Sequence, residues 1–198
     1  MVYNGVSDVA TRYTPPAAEN NNFVTFTVAS RLVTDKGITE IIEAFTKLSK
    51  RQPDIELNLL GDGPEADKFK QLANNHPMIN FLGYQKNPLT YMAASDVFIH
   101  PTYHEGFSVA LVEASMLSLP IIATSVGGNV EIIKDDTTGL LVPAKDTDAL
   151  YDAMKRLAND SAFRNRLGVA ARKQYEERFN FDVIVTQEFI PLYKGEVA

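Results

Sequence analysis

The sequence predicts an α/β domain of three layers, in which helices cover both faces of a six-stranded, parallel, doubly wound sheet and extra helices follow at the C-terminal end. Two observations predict this class. From residue 23 to about residue 145, short apolar segments alternate with segments of helical periodicity, an order that produces a parallel sheet. Most of the short segments are apolar on both faces, as a sheet that is covered on both sides requires.

Six segments have the length and the apolar or β-branched content of strands. In chain order they are FVTFTVA (Phe23–Ala29), IELNLLG, INFLG, DVFIHP, PIIATS and GLLVPA. Helical patterns separate them, so we expect each strand to be connected to the next by a crossover helix.

The strongest helical pattern is GITEIIEAFTKLSK, whose apolar residues Ile38, Ile41, Ile42, Phe45 and Leu48 form one stripe. The other helices between strands are predicted in GPEADKFKQLANN, PLTYMAAS, GFSVALVEASMLS and GNVEIIKDD. After the last strand come DTDALYDAMKRLAND, SAFRNRLGVAARKQYEERF and the less regular FDVIVTQEFIPLY. These last segments are the predicted C-terminal helices.

Composition excludes several classes of protein. The 198 residues are 45% hydrophobic, which is enough for one core of ordinary domain size. A net charge of −6 argues against a general nucleic-acid or anionic-membrane surface, because either needs a broad basic face. The lack of cysteine excludes thiolate chemistry. No apolar run could span a bilayer and the first residues do not resemble a signal peptide, so we expect a cytoplasmic protein.

The loop ASRLVTDKGI follows the first predicted strand, and ligands of open parallel sheets bind beyond the carboxyl ends of the strands. Arg31 and Lys36 lie five residues apart in it, and Gly37 opens a helix. Two cations beside a helix N-terminus can hold a diphosphate. The alternative is a solvated loop with two ordinary surface charges.

The turn GDGP (Gly61–Pro64) follows the second predicted strand. Its glycines permit a close approach of the backbone to a ligand. It does not match the G-x-G-x-x-G fingerprint, because position 66 is Ala and the segment does not open the first helix. The sequence therefore does not favour a dinucleotide-dependent dehydrogenase.

Two carboxylates, Glu105 and Glu113, lie with seven residues between them in HPTYHEGFSVALVEASMLSLP. Glu105 precedes Gly106 and Phe107, which are predicted to begin a helix. The amides of Phe107 and Ser108 should then be unpaired donors for an anion or a hydroxyl-rich ligand. The alternatives are a favourable charge near a helix N-terminus for Glu105 and a salt-bridge partner for Glu113.

The segment EGFSVALVE resembles the E-x7-E motif of retaining glycosyltransferases with the GT-B fold, the family called glycosyl transferases group 1. Other segments resemble that family's sequence blocks, in the family's order: YNGVSD, SRLVTDKG, LLGDGPE, INFLGYQ, YMAASDVFIHPTYHEGF, EASMLSLPIIATSVGGNVEII and TGLLVPAKD. The resemblance extends from about Tyr3 to Phe179. Such enzymes have two Rossmann-like domains, and this chain is similar to the second, which holds the nucleotide-diphosphate sugar donor.

The resemblance implies a domain organisation. Residues 1–22 are an interdomain-type lead-in, residues 23–178 are the Rossmann-like donor-binding domain, and residues 179–198 would normally contact an N-terminal Rossmann-like domain that is missing from this chain. We therefore expect both end segments to be poorly anchored. The implied activity is transfer of a sugar from a nucleotide-diphosphate sugar to an acceptor, without turnover in the absence of the N-terminal domain. A peripheral membrane contact through that domain stays open, and the base, the sugar and the acceptor are unspecified.

The resemblance also implies site residues. Arg31 and Lys36 match the pair that contacts the donor diphosphate, and Glu113 matches the carboxylate that binds the ribose hydroxyls. Glu105 matches the carboxylate near the donor sugar, where we favour a positioning role and keep a covalent nucleophile as the alternative. Gly106, Phe107 and Ser108 match the turn whose amides approach sugar and phosphate. Tyr84 lies where the family's backbone meets the base.

No cofactor and no metal are expected. Asp146-Thr147-Asp148 has the D-x-D spacing of a metal motif, but Asp146 is a natural N-cap at that helix start. The histidines do not have the spacing of metal ligands; they are His76, His100 and His104. His104, beside Glu105, is either a border of the sugar site or a simple loop residue.

Two other functions stay open. One is a non-catalytic module that binds a nucleotide sugar. The other is a different enzyme on the same two-domain scaffold, such as a sugar-nucleotide epimerase or a phosphorylase. The combination of two cations with two carboxylates favours a transferase over the second of these.

Overall fold

The computed structural model describes residues 5–13 and 23–194. Within them, six parallel strands form one sheet with the order β3-β2-β1-β4-β5-β6. The strands are β1 (Val24–Ala29), β2 (Ile55–Leu60), β3 (Ile79–Gly83), β4 (Val97–His100), β5 (Ile121–Thr124) and β6 (Leu140–Val142). The predicted α/β fold class is confirmed, and each strand lies within a predicted segment.

Helices follow each strand. They are α1 (Ile38–Ser49), α2 (Ala66–Ala73), α3 (Pro88–Ala93), α4 (Val109–Met116), α5 (Asn129–Ile132), α6 (Thr147–Asn159), α7 (Ser161–Arg178), α8 (Phe181–Ile184) and α9 (Ile190–Lys194). Short 3-10 turns occupy Ala10–Arg12 and Thr34–Lys36, and a π-helical turn, Val185–Phe189, connects α8 to α9. Among the helices of these two described ranges, none combines the length and the apolar character that a bilayer span requires.

Two apolar clusters cover the two faces of the sheet. One buries α1, α2 and α6 against alternate strand residues that include Val97 and Ile99. The other buries α4 and the end of α7 against the opposite face, where Phe98 and Ile121 point. Because successive strand residues point to opposite faces, both sides of β4 are apolar, as the sequence predicted.

The order of the strands creates a switch point between β1 and β4. From β1 the chain continues to β2 and β3 on one side, and it returns to β4, β5 and β6 on the other. β1 pairs directly with β4 through Phe26 opposite Val97 and Thr27 opposite Phe98. The loops that leave these two neighbouring strands therefore diverge and open a crevice at their carboxyl ends.

Two helices begin three residues later than predicted. α2 begins at Ala66 rather than Gly63, and α4 begins at Val109 rather than Gly106. In α4 the Ser108 hydroxyl accepts a hydrogen bond from the Leu111 amide at 3.3 Å, which makes Ser108 the N-cap. The residues before it remain in the loop.

The lead-in is anchored where the structure describes it. The Val6 amide donates to the Phe179 carbonyl at 3.0 Å, and the Tyr175 hydroxyl donates to the Val6 carbonyl at 2.8 Å. Asp8 forms an ion pair with Arg172 on α7. The expectation of a poorly anchored lead-in is therefore wrong for residues 5–13, whereas residues 1–4 and 14–22 lie outside the described part.

The last described residues agree better with the expectation that segment 179–198 is poorly anchored. Ile184 of α8 is buried, but the described side chains after it, through Tyr193, are half-buried or exposed. Phe189 and Ile190 are among the exposed large apolar residues. Residues 195–198 lie outside the described ranges.

Candidate functional site

A cleft of about 330 Å³ lies at the carboxyl ends of β1, β2 and β3, on the β1 side of the switch point. Its lining residues are Ala29, Ser30, Arg31, Leu60, Gly61, Asp62, Tyr84, Gln85, Pro88, Met92, Ala110 and Glu113. Three of the predicted site residues, Arg31, Tyr84 and Glu113, thus share one cleft. We call it the first cleft.

The loop that carries Arg31 and Lys36 is held close to the turn after β2. The Leu32 amide donates to the Asp62 carbonyl at 3.0 Å. Gly61 has a φ of 127°, and a Cβ there would lie 1.8 Å from the Ser30 carbonyl oxygen. Only glycine permits both this conformation and this approach. The glycine predicted as part of a turn therefore brings two walls of the first cleft together.

Two of the predicted residues of the first cleft, Tyr84 and Arg31, are exposed. Tyr84 is 78% exposed, just after β3. Arg31 is also exposed, and within the described ranges its guanidinium has no hydrogen bond or ion pair. An exposed aromatic ring and an unengaged guanidinium are both available to a ligand.

Glu113 lies in the fourth helix and lines the first cleft together with Ala110, three residues earlier on the same helix face. It is only half-exposed, and burial raises the pKa of its carboxyl above the usual value. No hydrogen bond or ion pair to this carboxylate occurs in the part of the chain that the structure describes. The carboxylate thus has unused acceptor capacity beside Arg31 and Tyr84.

Lys36, from the loop after β1, meets Glu105, from the loop after β4. Lys36 Nζ is 3.5 Å from Glu105 Oε2 and 3.3 Å from Thr102 Oγ1. The same carboxylate oxygen lies 3.0 Å from His100 Nε2. The hydrogen bond from His100, followed by the charge of Lys36, lowers the pKa of Glu105 to about 2, against the opposing effect of burial. Because an ionised carboxylate only accepts, His100 must carry its proton on Nε2.

A second cleft of about 340 Å³ adjoins Glu105. It is lined by Tyr103, His104, Glu105, Gly106, Val126 and Gly127. Gly127 has a φ of 45°, and a Cβ there would lie 1.8 Å from the Glu105 carbonyl oxygen. The Gly128 amide donates to that oxygen at 3.3 Å. The two glycines of GGNVEII therefore pack directly against the loop that carries Glu105.

The start of α4 differs from the predicted arrangement of free amides. Leu111 and Val112 donate to Ser108, the first to its hydroxyl and the second to its carbonyl. The amides of Val109 and Ala110 in the first turn therefore lack an acceptor within the helix, and the predicted donors, the amides of Phe107 and Ser108, lie just before that turn in the loop and at the cap. Phe107 is half-buried and its ring meets that of Phe179 edge-on, with the ring centroids 6.0 Å apart.

His100 and Thr102 are the site residues that the sequence did not reveal. His100 is buried, and its Nε2 contacts Glu105 and, at 3.3 Å, Ser108 Oγ. One signal was present, since His100 is the last residue of β4 and thus lies at the ligand-binding edge of the sheet. Its partner could not be predicted, because it lies across a turn whose shape the letters do not specify.

The D-x-D segment has structural roles in the described chain. Asp146 accepts a hydrogen bond from the Ala149 amide at 2.8 Å and caps α6, as predicted. Asp148 lies 2.6 Å from Lys47 Nζ. Within residues 5–13 and 23–194, no three His, Asp or Glu side chains are grouped so that they could hold a metal ion.

Comparison with known proteins agrees with this geometry. The family model described as Glycosyl transferases group 1 matches residues 11–174. The chain belongs to this family. Among curated relatives, it is 28% identical over 169 residues to the capsular polysaccharide biosynthesis glycosyltransferase CapM of Staphylococcus aureus. It is 34% identical over 155 residues to the N-acetyl-alpha-D-glucosaminyl L-malate synthase of Bacillus anthracis.

These matches cover most of this chain and less than half of each relative. They include 83% of this chain and 44% of CapM, and 77% of this chain and 40% of the malate synthase.

Solved structures confirm the GT-B type of fold. The Anabaena protein HepE in complex with UDP superposes with a TM-score of 0.86 at 22% identity, over 98% of this chain and 57% of HepE. The C-terminal domain of the group 1 protein LpcC from Francisella tularensis gives 0.78 at 24% identity, over 89% of this chain and 100% of that domain.

Proposed function

We propose that this chain is the donor-binding domain of a retaining glycosyltransferase, which moves a sugar from a nucleotide-diphosphate sugar to an acceptor. The observation that carries the proposal is that Arg31, Tyr84 and Glu113 line one cleft at the switch point while Lys36 meets Glu105 beside it. This cleft offers an aromatic ring, a guanidinium and a carboxylate to a single extended ligand.

Arg31 and Lys36 bind the donor diphosphate in this proposal. Departure of a nucleoside diphosphate places negative charge on the phosphate oxygens, and cations that are already in position stabilise that charge more in the transition state than in the ground state. The unengaged guanidinium of Arg31 supports this role. The amides of Val109 and Ala110 at the start of α4 provide further donors, next to the turn of Gly106, Phe107 and Ser108.

Glu113 binds the ribose hydroxyls. Its carboxylate is partly removed from water and lacks a partner among the described residues, an arrangement that costs stability unless a ligand supplies donors. Two neighbouring hydroxyls of a ribose are such donors. Tyr84, on the wall formed after β3, is then next to the base.

Glu105 positions the donor sugar. With its pKa lowered to about 2, it is an anion at neutral pH and accepts hydrogen bonds from sugar hydroxyls, but it has no proton to give as a general acid. The hydrogen bond from His100 and the ion pair with Lys36 stabilise the carboxylate and reduce its nucleophilicity. This supports a positioning role over covalent attack. The E-x7-E resemblance is the support for retention of anomeric configuration.

Turnover requires a second domain in this proposal. The chain spans 44% and 40% of two relatives that are named as enzymes, so the acceptor site and the remaining contacts to the donor are expected elsewhere. The exposed apolar residues near the C-terminal end support a contact with that domain. Relatives named for polysaccharide synthesis, such as CapM, support a glycan or glycoconjugate as product.

Calorimetric titration of UDP, GDP and ADP tests the proposal. One of them is expected to bind, and Arg31→Ala is expected to weaken both that nucleotide and inorganic pyrophosphate. Glu113→Ala should weaken the nucleotide and leave pyrophosphate unaffected, because the lost hydrogen bonds are to ribose. Unchanged affinity in Arg31→Ala would remove the diphosphate site, and equal weakening of both ligands by Glu113→Ala would remove the ribose assignment.

A further inference from the structure

The Glu65 side chain reaches across to the loop that carries the two cations and does not cap its own helix. Glu65 is the N-cap residue of α2, yet its side chain makes no capping hydrogen bond there. Instead, Oε2 accepts a hydrogen bond from the Thr34 amide at 2.5 Å, and Oε1 accepts one from the Thr34 hydroxyl at 2.7 Å. Both carboxylate oxygens are thus used across the gap between two loops.

Lys68 reinforces this contact. Its Nζ lies 2.9 Å from Glu65 Oε1 and 2.8 Å from Thr34 Oγ1. The Thr34 hydroxyl and then Lys68 lower the pKa of Glu65 to about 2, so the acceptor is an anion at neutral pH. Hydrogen bonds to an ionised acceptor are stronger and shorter than neutral ones.

Thr34 begins the 3-10 turn that ends at Lys36. The residue before this turn, Val33, provides no side-chain cap, and the first amide of a helical turn has no acceptor within the turn. Glu65 supplies the missing acceptor from a distant part of the sequence. It therefore holds the turn on which Lys36 stands, five residues after Arg31.

Neither Glu65 nor Thr34 lines the first cleft, so neither would act through contact with a ligand there. The Arg31 guanidinium has no partner in the described part of the chain, and its location depends on the backbone that carries it. We infer that Glu65 is a positioning residue, which holds residues 31–36 in the conformation that presents Arg31 and Lys36 to a diphosphate. This inference rests on the proposed function of that loop.

The sign of the expected effect separates positioning from charge. Removal of a negative side chain near two cations would by itself strengthen the binding of an anion. If Glu65 positions the loop, its removal instead weakens that binding, because the loop must be ordered when the ligand binds. The same helix offers a matched control in Asp67, whose carboxylate is 93% exposed and pairs only at 3.7 Å with Lys70.

Calorimetry on the 198-residue chain, with inorganic pyrophosphate and with UDP, GDP and ADP, tests the inference. We expect Glu65→Ala to bind pyrophosphate and the preferred nucleotide about tenfold more weakly than the wild type. Glu65→Gln keeps one acceptor for the Thr34 amide and should lose less. Asp67→Asn should bind as the wild type or slightly more tightly, and thermal unfolding should show all three variants folded.

Two results would overturn the inference without affecting the proposed function. One is unchanged or tighter binding by Glu65→Ala and Glu65→Gln while Arg31→Ala still weakens binding. The other is an equal loss in Asp67→Asn, since that would indicate a general effect of removing charge from the helix. If the wild type binds neither pyrophosphate nor any of the three nucleotides, the proposed function fails and the inference fails with it.

Discussion

Replacement of Glu105 by Gln is expected to lower the free energy of unfolding by an amount that depends on pH. In the wild type the Glu105 carboxylate is stabilised by His100 and Lys36. Gln has the same shape and can still accept from His100, but it has no charge to balance the ammonium of Lys36. The substitution therefore tests the electrostatic part of the arrangement.

The magnitude follows from the pKa of Glu105, which falls from an ordinary value of 4.5 to about 2 in the folded chain. At about 1.4 kcal/mol per pKa unit, a fully buried group with this shift would contribute roughly 3 kcal/mol to the free energy of unfolding. Because 21% of the side chain is exposed, solvent screens the interaction and we expect about 1–2 kcal/mol. The folded pKa lies below the unfolded one, so this contribution is complete above pH 4.5 and is lost as the pH falls towards 2.

Urea unfolding of the wild type and Glu105→Gln, at about pH 7 and in steps down to about pH 3, measures this contribution. The wild type should be more stable near neutral pH, and the difference between the two proteins should shrink below pH 4.5. Asp67→Asn, which removes an exposed carboxylate, should show a much smaller difference at every pH. A difference that stays constant over the whole range, or equal stability near pH 7, would refute the electrostatic argument.

Three further substitutions test other parts of the site. Glu113→Gln should raise the melting temperature at neutral pH, because burial raises the pKa of this carboxyl and its charged form costs stability. The gain in melting temperature should shrink as the pH falls through that raised pKa. No gain at neutral pH would contradict the argument. Gly127→Ala should lower the free energy of unfolding, measured by urea titration, by about 2 kcal/mol or more, because the new Cβ would collide with the Glu105 carbonyl oxygen. Gly106→Ala is the control and should lower it much less, because a Cβ there meets nothing within 4 Å. Asp146→Ala should lower the free energy of unfolding by about 1 kcal/mol, because α6 loses its N-cap. Its nucleotide affinity should equal that of the wild type with and without added Mg²⁺. A loss of affinity that depends on Mg²⁺ would instead indicate a metal site.

The fold could be predicted because its signals are local. A segment such as DVFIHP is apolar on both faces, and that pattern indicates a covered parallel strand. The first residue of each helix is harder to predict, because Gly, Pro, Glu and Ser all occur both in the loop before a helix and in its first turn. The start of α4 depends on a hydrogen bond between the Ser108 hydroxyl and the Leu111 amide, and the sequence pattern therefore places Gly106 and Phe107 in the helix, whereas they belong to the loop.

Long-range contacts explain what the sequence could not indicate. The hydrogen bond from Val6 to Phe179 joins the lead-in to the end of α7, and no local sequence pattern predicts it. Glu65 shows the same difficulty within the site. A glutamate at this position is typical of an ordinary acidic residue at a helix start. Only the direction of its side chain in the structure reveals the contact with Thr34.

The spacing of the two glutamates gains a physical meaning from these contacts. Glu105 precedes the Ser108 cap and lines the second cleft, whereas Glu113 lies beyond the first turn of α4 and lines the first cleft. The two carboxylates of a retaining glycosidase instead flank one bond at about 5 Å. A charged, hydrogen-bonded Glu105 and a half-buried Glu113 without a partner in the described ranges are consistent with the proposed contacts to two parts of one extended ligand.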